Sequence, residues 1–230
     1  MDNLEAKFAG LLSWERRKRR EQTLISVSCY AAALAIILSP FDIYLPNPWL
    51  RWLAPAALFF SLAPWFLHRA RLHGKFTVDP IDLATVNLPM FDEPKHPRFQ
   101  QYEHEHTRRW SATVAKADAY VFVTPEYNYG APPSIVNAID YLNKEWAYKP
   151  VGFVSYGGVS GGTRSVQMIK QIVTSLRMMP IPEAVTIPFF NQYVDKDTGA
   201  FAPGETQATA ATAMLDELLR WSDALSVLRR

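Results

Sequence analysis

The last two thirds of this chain predict an α/β fold, a doubly wound parallel sheet with helices on both faces. Three observations carry that reading. Short apolar runs alternate with helical periodicities from residue 75 onward, as in strands joined by crossover helices. The buried-type run Val121-Phe122-Val123-Thr124 stops in the turn Pro125-Glu126-Tyr127-Asn128, and a helix opens at Pro132-Pro133. One strand later, Val151-Gly152-Phe153-Val154-Ser155 runs into Tyr156-Gly157-Gly158-Val159-Ser160-Gly161-Gly162. In such sheets ligands sit beyond the carboxyl ends of the strands, so these two turns mark the walls of a crevice.

The elements follow in order. Residues 75–79 read as a short strand and 83–97 as a proline-rich loop. Residues 99–116 read as a helix, with Tyr102, Trp110 and Val114 near helical spacing. A strand over 119–124 precedes a helix over 134–143, begun by the proline pair. A strand at 151–155, a helix at 163–178 and a last strand at 184–188 come next. A long amphipathic helix over 205–228 closes the chain. There are no internal repeats, and residues 195–206 form a polar turn-rich loop rather than a linker.

The first 73 residues differ in character. The net charge of +2 hides an asymmetry, because ten of the 24 Lys and Arg but only five of the 22 Asp and Glu fall within residues 1–75. The basic block Arg16-Arg17-Lys18-Arg19-Arg20 stands directly before an apolar run from Thr23 to Leu38, and a second run spans Trp52 to Leu67. As helices these runs would reach roughly 24–29 Å, near the ~30 Å of a hydrocarbon core. Basic residues flank the outer ends, and the connection 42–48 has none. Charge placement therefore predicts a two-helix membrane hairpin over 1–73, with both termini and the 74–230 domain on the cytoplasmic side. Trp49, Trp52 and Trp65 suit interfacial anchoring, and Arg51 would snorkel. The basic block beside an apolar run is read as a membrane flank, with no nucleic-acid partner expected. Cys29, the single cysteine, excludes an internal disulfide or a thiolate cluster and reads as an apolar filler.

Three motifs compete for chemistry. Gly158-Val159-Ser160-Gly161-Gly162 fits the nucleophile elbow of α/β-hydrolases, but that fold needs a histidine after the serine, and the last histidine is His106. Glu103-His104-Glu105-His106 invites a metal reading, yet on a helix the two imidazoles diverge by about 200°. It reads as a solvated helix face, and no metal site is expected. The Gly-Gly-x-x-Gly-Gly loop is either a flexible strand-to-helix turn or a place where backbone approaches a ligand. Its position one strand from Pro125-Glu126-Tyr127-Asn128 favours the ligand, and Arg164 could neutralise a ligand charge.

Residues 121–134, with Leu88-Pro89-Met90-Phe91-Asp92-Glu93-Pro94, Ala117-Asp118-Ala119-Tyr120, Asn137-Ala138-Ile139-Asp140-Tyr141-Leu142 and the run 149–162, resemble in order the motifs of the NADPH-dependent FMN reductase family. These are flavodoxin-like enzymes that include quinone and azo-dye reductases. The resemblance covers about residues 74–230. It implies FMN as cofactor, NADPH or NADH as hydride donor, a small-molecule electron acceptor such as a quinone or azo compound, and a homo-oligomer. It implicates Pro125, Glu126, Tyr127, Asn128, Tyr156, Gly157, Gly158, Gly161 and Gly162 in cofactor binding. It names no catalytic side chain, because the flavin does the hydride chemistry. The family's opening strand and its Gly-Ser-x-Arg phosphate loop have no counterpart in the sequence, so the expected sheet lacks its first βα unit and has an exposed inner edge. Residues 69–74 would be the remnant of the family's first helix. The alternative reading is a fused or truncated relative without flavin, acting as an inactive or interaction module.

Overall fold

The computed structural model describes residues 22–28, 50–195 and 200–229. The basic block 16–20, Cys29, the connection 42–48 and any phosphate loop after residue 28 lie outside the described residues. Five strands form one sheet: β1 (Gln22–Ser28), β2 (Phe76–Asp82), β3 (Ala119–Pro125), β4 (Pro150–Tyr156) and β5 (Met179–Ile187). Their order is β2-β1-β3-β4-β5 and every pairing is parallel. Helices α1 (Leu50–His73), α2 (Leu83–Val86), α3 (Glu105–Ala115), α4 (Pro133–Asp140), α5 (Thr163–Ser175) and α6 (Glu205–Leu225) connect or follow them.

The first strand is therefore present, which corrects the expectation that it is missing. Gln22-Thr23-Leu24-Ile25-Ser26-Val27-Ser28 pairs with β2 along its length, and Leu24–Ser28 pairs with Ala119–Val123 of β3. It fills the gap that would otherwise leave an exposed inner edge. A strand rich in β-branched residues and a membrane helix are both continuous apolar runs, and periodicity does not separate them.

The hairpin reading is corrected too. Its first run opens as β1 rather than as helix. Its second run lies in α1, where Leu62, Phe66 and Ala70 fall at i, i+4 and i+8 and are buried in the core shared with β3, β5 and α6. A polar seam binds the same helix to α6: Arg69 donates to Thr212 Oγ1 at 3.4 Å, and His73 Nε2 lies 3.0 Å from Asp216. Among the described residues no helix is long and apolar enough to cross a membrane. β1 and the described part of α1 pack in the same layers as the strands and helices that follow.

Side chains of β3 alternate between two cores, as period-2 geometry requires. Tyr120 and Phe122 face one core with Trp110 and Val114 of α3, Ile135 and Ile139 of α4, Phe153, and Ile169 and Val173 of α5. Val121 and Val123 face the other with α1, Val154, Ile181, Val185, and Met214, Leu215 and Leu218 of α6. In α6 the buried positions 211, 214, 215, 218 and 222 trace one helical face. The polar ends of the large aromatics are satisfied. Trp110 Nε1 donates to Ala138 O at 2.8 Å, Trp146 Nε1 to Ile139 O at 3.0 Å, and the Tyr120 hydroxyl to Val114 O.

Element boundaries moved for definable reasons. β2 continues through Pro80, and β5 begins before Pro180 and Pro182, although proline ends most strand assignments. Both are edge strands, where a missing N–H costs no ladder bond, and proline there also discourages pairing with another chain. The helix expected from residue 99 starts at Glu105. Before it lie a short 3-10 turn at Pro97–Phe99 and left-handed Gln100 (φ 53).

Two expectations test the packing. Phe66→Ala should cost about 3–5 kcal/mol in denaturant unfolding, as for a core phenylalanine; a near-zero cost would show that α1 does not pack on the sheet. Lys149, just before β4, is 6% exposed, and its Nζ donates to Val114 O and Ala115 O at 3.0 and 3.1 Å. Burial, then the Arg229 guanidinium, push its amine down to about 8. Between pH 8 and 9.5 the unfolded chain holds this proton more fully than the folded one. Stability should thus rise with pH there, by at most about 1.4 kcal/mol per unit. Lys149→Met should abolish the rise.

Candidate functional site

Because β1 lies between β2 and β3 while the chain continues from β3 to β4 and β5, the direction of strand succession reverses at β1 and β3. In sheets of this kind the ligand crevice lies beyond such carboxyl ends, and two loops stand there on the β3–β4 side.

The first loop leaves β3 at buried Pro125. Tyr127 N donates to Gly130 O at 2.9 Å and Gly130 N to Tyr127 O at 2.8 Å. Asn128 (φ 47) and Tyr129 (φ 72) between them are both left-handed, which makes a type I′ turn. Asparagine tolerates that conformation, whereas for tyrosine it costs about 1–2 kcal/mol. The Arg164 guanidinium sits 3.8 Å above the centre of the Tyr129 ring and offsets part of this, by about 0.5–1 kcal/mol.

The second loop leaves β4 at Tyr156, which is buried against Phe190 with ring centroids 5.5 Å apart. Gly161 (φ 59) and Gly162 (φ 86) are left-handed. A Cβ on Gly162 would stand 2.8 Å from Tyr156 N, and one on Gly161 2.6 Å from Thr186 Cγ2 and 2.9 Å from Pro188 N. These two glycines let the loop lie on the ends of β4 and β5. Gly157 N donates to Ile187 O at 3.3 Å, and Phe189 N to Gly158 O at 3.0 Å. A Cβ on Gly158, by contrast, would meet nothing within 4 Å.

Glu126 joins the loops. Its side chain is 8% exposed, and Oε1 lies 2.6 Å from Arg164 Nη1. Oε2 accepts from Ser160 Oγ at 2.8 Å and from Arg164 N, in the first turn of α5, at 3.1 Å. A carboxylate at a helix N-terminus is favoured by the helix dipole as well as by its hydrogen bonds.

The implicated residues thus separate by position. Tyr127, Asn128, Gly157 and Gly158 are exposed or half-buried at the carboxyl end of the sheet, while Pro125, Tyr156, Gly161 and Gly162 are buried. Glu126 points into the second loop. Among the described residues, the amides of Asn128 and Gly158 donate to no backbone carbonyl.

Three further elements brace these loops or the helix after them and lie outside the residues the sequence implicates in cofactor binding. Ser160 is a donor to Glu126 rather than a nucleophile, and nothing local in the sequence marks that pairing. The segment Phe189-Phe190 anchors the glycine loop. The third is the 88–94 loop, fixed on α4 where Asn137 accepts from Phe91 N at 2.9 Å and donates to Pro89 O at 2.7 Å. The Tyr141 hydroxyl donates to Asp92 Oδ1 at 2.9 Å, and burial together with that carboxylate pushes the phenol up.

The His104 and His106 rings do not diverge as expected. His104 is the N-cap of α3 with extended backbone (φ −93, ψ 140), so the rings stack at 5.2 Å and 11°. His106 Nε2 lies 3.0 Å from Asp92 Oδ1, and His104 Nε2 lies 3.1 Å from Asp92 O.

Comparison with known proteins agrees with the fold. An NAD(P)H-dependent FMN reductase of Nectria sp is 37% identical over 125 residues, covering 53% of this chain and 62% of that protein. Its counterpart in Schizosaccharomyces pombe is 39% identical over 132 residues, covering 56% and 66%. The chain therefore spans less than two thirds of the length of these curated relatives. The solved structure of FerB, a flavoenzyme NAD(P)H:(acceptor) oxidoreductase of Paracoccus denitrificans, shares the fold, with a TM-score of 0.58 and 18% identity over 88% of this chain and 98% of that one. The family model for NADPH-dependent FMN reductase matches residues 60–192, from within α1 to just past β5 and through both crevice loops. The chain belongs to the NADPH-dependent FMN reductase family.

Proposed function

We propose that this protein is an NAD(P)H-dependent oxidoreductase that holds FMN in the crevice and serves a small electron acceptor, a quinone or an azo compound. The observation that carries the reading is the Glu126 tie, which fixes two loops as one wall beside the point where strand succession reverses. The wall suits a flat heteroaromatic ring with polar edges. Asn128 and Gly158 are exposed, among the described residues their amides donate to no backbone carbonyl, and a Cβ on Gly158 would meet nothing within 4 Å.

When bound, FMN would supply the two-electron chemistry, taking hydride from NAD(P)H and passing it to the acceptor. The chain's own part is position and electrostatics. Tyr127 and Asn128 would hold one edge of the ring, and Gly157 and Gly158 would bring backbone donors to another. Glu126 is consumed by Arg164, Ser160 and the α5 amide, so it orders the wall and moves no proton. The nicotinamide donor and the acceptor would use the open side of the crevice in turn. Homo-oligomerisation remains part of the proposal as a family trait.

One sequence feature favours the alternative, a relative without flavin. Residues 29–49, which follow β1, contain no glycine, lysine or arginine, the residues that usually cradle a phosphate. Titration with FMN and riboflavin separates the two readings. Micromolar binding of FMN with quenched fluorescence supports the oxidoreductase, and riboflavin binding equally well would mean that the phosphate adds nothing. Absence of binding by folded protein at millimolar flavin would leave the inactive module.

Two glycine substitutions should part shape from contact. Gly162→Ala meets backbone at a left-handed position and should cost about 2 kcal/mol or more of stability. Gly158→Ala should leave stability within about 0.5 kcal/mol yet weaken FMN about tenfold, because its methyl would hold the ring away from the amide at a cost of about one hydrogen bond. Thermal unfolding and flavin titration of both variants check the pair.

A further inference from the structure

A second cavity, of about 1050 Å³, opens at the amino-terminal ends of β3, β4 and β5, on the opposite end of the sheet from the crevice. Arg98, Lys144, Lys149, Arg177 and Arg229 line it against only two carboxylates, Asp118 and Glu145. The two carboxylates balance only part of that charge, and both are already engaged. Glu145 is buried and already accepts from Tyr102 at 2.9 Å and Ser111 at 2.7 Å. Asp118 faces Arg229 at 3.4 Å.

The ordinary role for cations here is to answer the carbonyls at helix C-termini. Lys149 does so for α3, and Arg229 for the carbonyls of Tyr148 and Ser222. Arg98, Lys144 and Arg177 exceed that need. Among the described residues, the Arg98 guanidinium and the Lys144 ammonium donate to no carboxylate or carbonyl; Arg98 rests on the Phe99 ring at 4.7 Å. Among the described residues, the Arg177 guanidinium donates only to the Tyr148 hydroxyl, at 3.2 Å. Arg177 (φ 62) and Tyr148 (φ 61) also hold left-handed backbone, tied by Tyr148 N donating to Arg177 O at 2.8 Å. Non-glycine residues seldom adopt that conformation except where the surroundings enforce it, and ligand clamps are a common such place.

We propose that this cavity binds a phosphate-bearing organic anion of nucleoside diphosphate size. The volume is at the upper end of small-ligand sites, which run to about 1,000 Å³. The cations converge from four segments: 97–99, 143–149, 176–178 and the C-terminal turn Ser226–Arg229. Arg98, Lys144 and Arg177 would meet the phosphates at the mouth, where guanidinium forks match phosphate oxygens. Lys149 adds a buried positive charge behind them. The burial that lowers the Lys149 amine would be partly offset by a bound anion, so binding should take up a fraction of a proton near pH 8.

Calorimetric titration of the full chain with ADP at about 50 mM salt tests this, with adenosine as the control. The expected result is ADP binding that weakens with salt, no comparable binding of adenosine, and at least tenfold weaker ADP binding in the double variant Arg98→Glu/Lys144→Glu. Both positions are exposed, so that variant should keep the wild-type melting temperature. Because ADP could also enter the crevice, Gly158→Ala serves as a second variant and should leave ADP affinity unchanged. No ADP binding at several millimolar, equal binding of adenosine, or unchanged affinity in the double variant would overturn the proposal.

Discussion

The Glu126 carboxylate, with three donors from the loop after β4 and the first turn of α5, is the interaction on which the crevice depends. Parallel strands end at independent loops, and nothing in the sheet ladder dictates how one loop sits against the next. Here a nearly buried carboxylate bonds the Arg164 guanidinium, the Ser160 hydroxyl and the Arg164 amide, and Arg164 in turn covers Tyr129. The turn after β3 and the helix after β4 are thereby held as one surface. Charge-assisted bonds of this kind contribute about 1.5–3 kcal/mol each, enough to order two short loops but not to define the fold.

The fold beneath supplies the platform. β3 and β4 are buried along their whole length, and their alternate residues feed two separate cores, so neither strand can slip by one residue without exchanging its faces. Gly161 and Gly162 then bring the loop down onto the ends of β4 and β5 at distances no side chain would allow. Loop position is set from below by packing and from the side by the Glu126 tie.

How much of this was legible in the sequence varied with position in the sheet. The central strands β3 and β4 and the helices after them were readable, because continuous apolar runs ended in turn-forming residues. The edge strands read too short, since Pro80, Pro180 and Pro182 look like breakers and only the sheet order shows that they lie on edges. β1 was misread outright: Thr23–Val27 opens a longer apolar run, and no polar break marks where the strand stops. At the site, Pro125–Asn128 and the glycine loop were visible as residue types at the right strand ends. The division of labour was not visible. Gly158 and Gly162 look alike in the sequence, yet one faces open space and the other is wedged against backbone. Likewise, Glu126 reads as a ligand contact until its partners, 34 and 38 residues further on, come into view.

The central claim is that the Glu126–Arg164 tie, rather than either loop alone, makes the flavin wall. A double-mutant cycle with Glu126→Gln and Arg164→Met, read as FMN affinity, tests it directly. The account predicts that each single variant weakens FMN and that the double is little worse than either, a coupling of about 1–2 kcal/mol. Additive losses, or unchanged FMN binding in Glu126→Gln, would contradict it.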